Sequence, residues 1–173
     1  PYYVVPTIGR AALCQPDGVA QFSWDHVEAM HWDEQFQKPL EVGLRPEKKR
    51  ECERVRDLLG LPRDTWFVCL HVREGGFRKD WTEEGPRNCS IVNYFAAIEA
   101  ITAAGGYVVR IGDSSMSPLP ASNKVIDYAH SPYKSELMDL YLISECRFFI
   151  GTTSGPIEVA WLFQKRVVGT NLL

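Results

Sequence analysis

From residue 66 onward, short apolar runs alternate with segments in which apolar residues recur at helical spacing. Short apolar runs between turn formers are typical of buried strands, and helical spacing is typical of amphipathic helices. The pattern predicts strand 67–72, helix 91–104, strand 107–111, strand 125–128, helix 135–143, strand 147–150, helix 156–164 and strand 166–169. This alternation favours the α/β class, with a Rossmann-like parallel sheet, right-handed crossovers and helices on both faces.

Residues 1–45 have no clear period and are expected to form a connecting arm or the remnant of a neighbouring domain. Pro46 begins a segment with apolar residues at helical spacing, and Gly60 ends it, which predicts a helix over 46–59. We therefore expect a Rossmann-like domain over 46–173. The chain starts with Pro, and its last apolar run stops within a strand and the loop after it. These ends indicate a fragment of a longer protein.

The composition is that of a globular chain with one sizeable core, because 45% of the 173 residues are hydrophobic and 24% are charged. A net charge of −3 and a pI near 5.8 argue against nucleic-acid binding, which favours clustered lysines and arginines. No apolar run approaches the roughly 20 residues that span a bilayer, and the start of the chain has no signal-peptide pattern. We expect a cytoplasmic domain without a membrane span.

The five cysteines make an odd number and include no C-x-x-C pair or matching histidine spacing. A disulfide framework and a metal site are therefore both disfavoured. Thiols inside strand runs, such as those of Cys69 and Cys146, are typical of small buried hydrophobic residues, and the pattern suits a reducing compartment. The sequence predicts neither a bound metal nor another cofactor.

Five of the apolar runs end in clusters of small and polar residues. The carboxyl ends of parallel strands meet at one edge of a sheet, and α/β proteins bind ligands at that edge. The sequence therefore predicts a binding site built from these clusters. They comprise residues 71–76, 112–115, 127–128, 151–156 and 169–171.

The cluster Gly-Thr-Thr-Ser-Gly at 151–155 lies between a predicted strand and a helix N-terminus. Helix N-termini favour anions because their first N–H groups are unpaired and the helix dipole is positive there. The hydroxyls of Thr152, Thr153 and Ser154 add donors for phosphate oxygens, and glycines such as Gly155 allow close backbone approach. The alternative left open is that Ser154 only caps its helix and the glycines only make the turn.

His71 and Arg73 are two residues apart, so in an extended segment their side chains point to the same side of the sheet. Arg73 can bind a diphosphate with its guanidinium fork, while His71 donates to a sugar or phosphate oxygen or holds the loop. Gly75 and Gly76 add flexibility to the loop, and residues 78–79 add two cations. A structural histidine at the end of a buried strand is the alternative for His71.

Acidic residues follow two other strands. Asp113, between Gly112 and Ser114, can accept hydrogen bonds from a base or ribose, as acidic residues do in nucleotide-binding folds, and Asp127 can do the same. The alternatives are an Asx-turn for Asp113 and a solvated loop position for Asp127. A carboxylate in the first turn of a helix, as at Glu158, ordinarily compensates the helix dipole.

Several enzyme motifs are missing from the sequence. It contains no G-x-G-x-x-G, no G-x-x-x-x-G-K-[ST] and no G-x-S-x-G string, which argues against dinucleotide oxidoreductases, P-loop NTPases and α/β-hydrolases. Ser154, His71 and Asp113 are the residue types of a catalytic triad, but their spacing does not specify one.

Three of the clusters carry a family resemblance. The string His-Val-Arg-Glu-Gly-Gly at 71–76 resembles the H-x-R-x-G-[DG] segment of the fucosyltransferases related to NodZ and to the protein O-fucosyltransferases. The strand followed by Gly-Asp-Ser-Ser at 112–115 resembles their second motif, and the string at 149–158 resembles their third. The chain is also similar to a group of bacterial glycosyltransferase-like proteins with H-V-R-E and G-T-x-S-G-P strings. The resemblance covers about 105 of the 173 residues.

The resemblance implies the donor-binding, C-terminal half of a two-domain GT-B glycosyltransferase. Arg73 would bind the donor diphosphate, His71 would position it, Asp113 would contact the nucleoside, and Thr153 and Ser154 would hold phosphate oxygens. Arg73 and His71 are thus the candidates for catalysis. No metal is implied, because an arginine and a helix dipole can stabilise the leaving diphosphate.

The expected function is donor binding by a glycosyltransferase that takes a nucleotide-diphosphate sugar, GDP-fucose-like by the resemblance, and transfers the sugar to an acceptor. In such enzymes the catalytic base and the acceptor pocket draw on the other domain. We therefore expect this chain alone to bind donor without turnover. Two alternatives stay open, which are a non-catalytic module for a nucleotide or sugar phosphate and a sugar-nucleotide epimerase on the same architecture.

Overall fold

The computed structural model describes residues 3–7, 10–15, 18–22, 42–77 and 87–171, the first three ranges by their backbone alone. The chain divides into two compact units, Pro1–Glu41 and Val42–Leu173. The predicted cations at 78–79 lie outside the described residues. The identity of the first segment as an arm or a domain remnant stays a prediction.

The first unit contains three strands that the sequence pattern did not predict. Strands β1 (Tyr3–Thr7), β2 (Arg10–Gln15) and β3 (Gly18–Phe22) pair antiparallel in the order β1-β2-β3. Thr7 pairs with Arg10 and Gln15 pairs with Gly18, so only two residues of the sequence separate each pair of neighbouring strands. None of these segments has a strict alternation of apolar and polar residues, so the sequence gives little sign of a strand.

The second unit alternates helices and strands, as the sequence predicts. Two 3₁₀ turns, Ile91–Tyr94 and Tyr128–His130, precede helices α2 and α3 in the chain. The predicted helix 91–104 therefore begins as a 3₁₀ turn and continues as an α-helix. The remaining elements are α1 (Pro46–Leu58), β4 (Phe67–His71), α2 (Phe95–Ala103), β5 (Tyr107–Arg110), β6 (Val125–Asp127), α3 (Glu136–Glu145), β7 (Phe148–Gly151), α4 (Gly155–Leu162) and β8 (Val167–Gly169).

These five strands form a parallel sheet in the order β6-β5-β4-β7-β8. The central strand is β4, and all five of its residues are buried. From β4 the chain first adds β5 and β6 on one side of the sheet and then β7 and β8 on the other side. The order of the strands therefore reverses between β4 and β7. In open α/β sheets, ligands bind outside the carboxyl ends of the strands at such a switch point.

Helices cover both faces of the sheet, so the predicted α/β class and layer arrangement are confirmed. Phe67 and Cys69 of β4 pack in a core cluster with residues of α1, α3 and α4. Val68 and Leu70 pack in a second cluster that includes Ile91 and residues of α2. Because successive strand residues point to opposite faces, the unbroken apolar run of β4 supplies both cores.

The described thiols of Cys52, Cys69, Cys89 and Cys146 are all free. Among the described residues, no helix is long and apolar enough to cross a membrane. The features that matter most for a ligand lie at the carboxyl edge of the sheet, where β4, β5 and β7 end together.

Candidate functional site at the carboxyl edge of the sheet

The ends of the three central strands are held level by their pairing. Leu70 pairs with Arg110 across β4 and β5, and His71 pairs with Gly151 across β4 and β7. The loops that leave these strands border a cavity of about 910 Å³. This volume lies within the range of ligand pockets, which is roughly 300–1,000 Å³.

The structure brings most of the predicted site residues to this cavity. Its lining includes residues from the loops after β4, β5 and β7. The predicted residues found there are His71, Arg73, Gly75, Gly112, Asp113, Ser154 and Gly155. The predicted residues that do not line it are Gly76, Ser114, Asp127, Thr152 and Thr153, and the predicted clusters at 127–128 and 169–171 contribute no lining residue.

His71 is buried, with only 6% of its surface exposed, and both His71 and its neighbour Ser154 line the cavity. Its Nδ1 lies 3.0 Å from Ser154 Oγ. Burial, reinforced by the nearby positive charge of Arg110, lowers the pKa of His71 from 6.5 to about 4. His71 is therefore an uncharged imidazole at neutral pH, and Arg73 supplies the positive charge on this side of the cavity.

The lowered pKa of His71 predicts a loss of stability on acidification. The unfolded chain binds a proton at His71 below pH 6.5, whereas the folded chain does so only near pH 4, so stability falls as the pH drops between these values. At pH 4 the loss reaches about 3 kcal/mol, at 1.36 kcal/mol per pKa unit. Urea unfolding of wild type and His71→Gln at pH 7, 5.5 and 4.5 measures it. Parallel stability curves for the two proteins would contradict the shift.

Thr152 is fully buried and holds the loop after β4 in place. Its Oγ1 accepts a hydrogen bond of 3.0 Å from the backbone N–H of Arg73, and its own N–H donates to the His71 carbonyl at 3.2 Å. In this conformation its hydroxyl cannot reach a phosphate oxygen, because it is sealed between β4 and β7. Thr153 Oγ1 is also buried and has no hydrogen-bond partner among the described residues.

Ser154 occupies the N-cap position of α4, yet its side chain makes no capping hydrogen bond. Its Oγ instead lies 3.0 Å from His71 Nδ1 and 3.0 Å from the Thr152 carbonyl oxygen. The interpretation of Ser154 as a helix cap alone is therefore wrong for its side chain. The Ser154 hydroxyl thus connects the cluster after β7 to the cluster after β4.

Glycine is present for different reasons at the two glycine positions of the 151–155 cluster. A Cβ at Gly151 would collide with the ring of Phe149, so Gly151 is required by packing. A Cβ at Gly155 would meet no atom within 4 Å, and Gly155 lines the cavity at the start of α4. Gly155 is thus the position where an absent side chain leaves room for a ligand close to the helix N-terminus.

Asp113 lies at the cavity and also forms the Asx-turn that was its alternative interpretation. Its Oδ1 accepts a hydrogen bond of 2.9 Å from the Ser115 N–H and a second one from the Ser115 hydroxyl. The preceding Gly112 has a φ of +148°, and a Cβ there would collide with Met116. The cluster after β5 is therefore fixed by local geometry, which holds Asp113 at the cavity wall.

Sequence reasoning missed a buried ion network around Arg110, whose surface is 0% exposed. Its Nη2 lies 3.1 Å from Glu74 Oε1, and its Nη1 lies 3.6 Å from Asp127 Oδ1 and donates to the Ser117 carbonyl. Glu74 Oε2 also accepts from the Ser117 N–H at 2.6 Å. Arg110 thereby ties the loop after β4 to the loop after β5 and to the end of β6.

Asp127 therefore has a structural role that neither of its interpretations included. Its Oδ2 accepts from the Leu119 N–H at 2.9 Å and lies 2.9 Å from His130 Nδ1. It does not line the cavity. The available signal was an arginine inside an otherwise apolar strand, because a buried charge requires a partner of opposite sign.

The far wall of the cavity comes from α3 and was also missed. Lys134 and Asp139 form an ion pair of 2.9 Å there. Burial raises the pKa of Asp139, although its hydrogen bond with the Lys134 ammonium opposes that rise. Apolar side chains from α3, from α4 and from the segment after β5 also line the cavity. They belong to Ile111, Met116, Leu140, Ile143, Pro156 and Val159.

Within the part of the chain that the structure describes, no group of three or more His, Cys, Asp or Glu side chains is placed to hold a metal ion. The charged groups around the cavity that come from the predicted site are Arg73 and Asp113. Lys134, Glu136, Asp139, Glu74 and Arg87 add charges from outside the predicted set. A ligand here meets Arg73 near β4, the N–H of Gly155 at the start of α4, and both charged and apolar side chains near α3.

Comparison with known proteins shows the fold of this unit. No family model matches the chain, and no curated protein matches it in sequence. A glycosyl transferase family 9 structure from Veillonella parvula is similar over 75% of this chain and 36% of its own, with a TM-score of 0.54 and 12% identity. The ADP-heptose lps heptosyltransferase II of E. coli is similar over 75% of this chain and 38% of its own, with a TM-score of 0.48 and 13% identity.

The chain thus spans little more than a third of the length of these two structures. At such low identity, the likeness to the Veillonella protein shows a shared fold and carries no residue roles. The described residues 42–77 and 87–171 form an α/β, Rossmann-like domain, and a fold of this kind occurs within the Veillonella structure.

Proposed function

We propose that this chain is the donor-binding domain of a glycosyltransferase, which binds a nucleotide-diphosphate sugar at the carboxyl edge of the sheet and transfers the sugar to an acceptor. The observation that carries the proposal is one cavity in which Arg73 and the N-terminus of α4 converge beside the open Gly155. The fold shared with a glycosyl transferase family 9 structure supports the same class of reaction.

The diphosphate lies between Arg73 and the first turn of α4. At the start of α4 the N–H of Gly155 can donate to a phosphate oxygen, whereas Pro156 has no N–H and the Ile157 N–H already donates to the Ser154 carbonyl at 3.2 Å. The helix dipole adds a favourable field. Arg73 contributes a charge-assisted, bidentate contact. The Arg73 backbone is already fixed by its hydrogen bond to Thr152 Oγ1, so little loop ordering is needed on binding.

The nucleoside and the sugar occupy the remainder of the cavity. As the sugar–phosphate bond breaks, negative charge develops on the leaving diphosphate, and the arginine and the helix N-terminus stabilise it without a metal ion. On the resemblance of the 71–76 and 149–158 strings to fucosyltransferases, the proposed donor is GDP-fucose-like. The acceptor and the catalytic base belong to a further domain.

Substitution of Gly155 tests the close approach of the diphosphate to α4. Gly155→Ala adds a Cβ that meets no protein atom within 4 Å, and alanine is a better helix former than glycine. We expect unchanged or slightly raised thermal stability together with at least about tenfold weaker binding of a nucleoside diphosphate, which corresponds to 1.4 kcal/mol. Calorimetric titration of both proteins measures the affinity.

Gly43→Ala is the matched control, because a Cβ on Gly43 would also meet no atom within 4 Å, and Gly43 does not line the cavity. Equal affinity of wild type and Gly155→Ala would place the diphosphate elsewhere.

An acceptor panel then tests the reaction class. Donor binding without transfer in a protein that includes the acceptor domain would indicate a non-catalytic module, and release of an epimerised sugar without acceptor would indicate an epimerase.

A further inference from the structure

Ser154 Oγ contacts two groups that place different demands on its single proton. It lies 3.0 Å from the carbonyl oxygen of Thr152 and 3.0 Å from Nδ1 of His71. A peptide carbonyl oxygen carries no proton, so a hydrogen bond there must use the proton of the serine hydroxyl. The contact with His71 is then satisfied only if Nδ1 carries a proton and donates it to Ser154 Oγ.

The ring of His71 is neutral, because it is buried and faces the positive charge of Arg110. A neutral imidazole has one N–H and one bare nitrogen. With the proton on Nδ1, the nitrogen Nε2 has a free lone pair. Among the described residues, no hydrogen bond involves Nε2. Nε2 is also not among the buried side-chain nitrogen and oxygen atoms that lack a hydrogen-bond partner, so it keeps some exposed surface.

His71 lines the cavity, and the ring edge that carries Nε2 is the one turned away from Ser154. The neighbouring Cδ2 lies 3.8 Å from the position of a Cβ on Gly112, which also lines the cavity. An acceptor nitrogen at this place repels phosphate oxygens, which carry lone pairs and no proton in the diphosphate. It accepts a hydrogen bond from a hydroxyl group instead.

We propose that Ser154 is a positioning residue that fixes His71 in the Nδ1–H tautomer, so that Nε2 accepts a hydrogen bond from a hydroxyl of the ligand. This assignment reverses the expectation that His71 donates to a sugar or phosphate oxygen, and it divides the site into two regions. Arg73 and the start of α4 take the diphosphate, and His71 takes a hydroxyl. That the hydroxyl belongs to a ribose or a transferred sugar rests on the proposed function, whereas the tautomer does not.

The tautomer is measured directly by long-range ¹H–¹⁵N correlation of the ¹⁵N-labelled full chain at pH 7. The spectrum distinguishes a protonated, pyrrole-type nitrogen from a bare, pyridine-type one, and His71→Gln assigns the signal among the four histidines. We expect Nε2 of His71 to be the pyridine-type nitrogen. A pyridine-type Nδ1 with a protonated Nε2 would overturn the proposal.

Two variants test the role of the serine hydroxyl. Ser154→Ala removes the acceptor for Nδ1–H, so we expect a measurable population of the Nε2–H tautomer, and Ser154→Thr, which keeps a hydroxyl, restores the wild-type spectrum. An unchanged tautomer in Ser154→Ala would show that the serine does not fix it. A purely structural serine would change stability in these variants without moving the tautomer population.

The same spectrum with GDP-fucose, UDP-glucose and ADP-ribose as probes separates this inference from the proposed function. A bound probe that shifts the Nε2 signal while leaving it unprotonated supports both. If none of the probes binds and Nε2 is unprotonated in the free chain, the proposed function fails and the tautomer assignment stands. If a probe binds and Nε2 is protonated in the complex, the inference is overturned and the proposed function stands.

Discussion

Arg110→Met is expected to lower the free energy of unfolding by about 3–5 kcal/mol, the usual cost of removing one partner from a buried ion pair. Arg110 has no exposed surface, and the side chains of Glu74 and Asp127 that face it are 14% and 19% exposed. Methionine fills a similar volume but leaves both carboxylates without their cation. Urea unfolding at pH 7 and constant ionic strength measures the loss.

Two comparisons separate the loss of charge pairing from the loss of shape. Arg63→Met removes an arginine of the exposed Arg63–Asp57 pair, and we expect little change there because water solvates both groups. The triple variant with Glu74→Gln and Asp127→Asn removes the orphaned charges and should recover much of the stability lost in Arg110→Met. A loss below about 1 kcal/mol in Arg110→Met, or no recovery in the triple variant, would contradict the network.

Arg73→Ala is expected to weaken nucleoside diphosphate binding by about 10- to 100-fold, since a hydrogen-bonded contact to a charged group contributes roughly 1.5–3 kcal/mol. The substitution leaves the backbone N–H of residue 73 bonded to Thr152 Oγ1, so the loop should keep its conformation. Calorimetric titration gives the affinity, and thermal unfolding checks that the fold is intact.

Arg63→Ala is the matched control for this second change. It removes the same charge from the chain, and Arg63 does not line the cavity. A specific diphosphate contact predicts weaker binding in Arg73→Ala alone. Equal weakening in both variants would show that the ligand responds only to net charge, and equal affinity in all three proteins would remove Arg73 from the site.

The fold of the second unit could be predicted because its central strands β4, β5 and β7 are mostly buried on both faces. Such strands are continuous apolar runs, as at 67–72, and their periodicity differs clearly from that of the amphipathic helices between them. The polar clusters after the strands then locate the site, since all parallel strands end at one edge. His71, Arg73, Asp113 and Ser154 were predicted in this way, and all four line one cavity.

The roles of individual residues depended on contacts between distant segments, which a linear pattern does not contain. The hydroxyl of Thr152 faces the backbone of Arg73, 79 positions away in the chain, and not the cavity. Glu74 and Arg110 are 36 positions apart and pair only because β4 and β5 are neighbours. Local pattern shows that a residue is polar, and the packing decides which partner satisfies it.

The three strands at the start of the chain were missed for another reason. Only two residues separate neighbouring strands in the sequence, as between Thr7 and Arg10, and the segments hold few β-branched residues in strict alternation. Pro16, Asp17 and Gly18 are turn formers by residue type. Turn chemistry alone does not reveal a strand when the flanking pattern is weak.

The most direct test of the donor-site account is a calorimetric titration of the wild-type chain with GDP, UDP, ADP and CDP and with their sugar conjugates. The account predicts saturable binding of one diphosphate series, retained by Arg63→Ala and lost or strongly weakened in Arg73→Ala. At ten times its Kd such a ligand should also add about 1.4 kcal/mol of stability, which a thermal unfolding curve resolves. Absence of binding by every member of the panel, or binding that Arg73→Ala leaves unchanged, would contradict it.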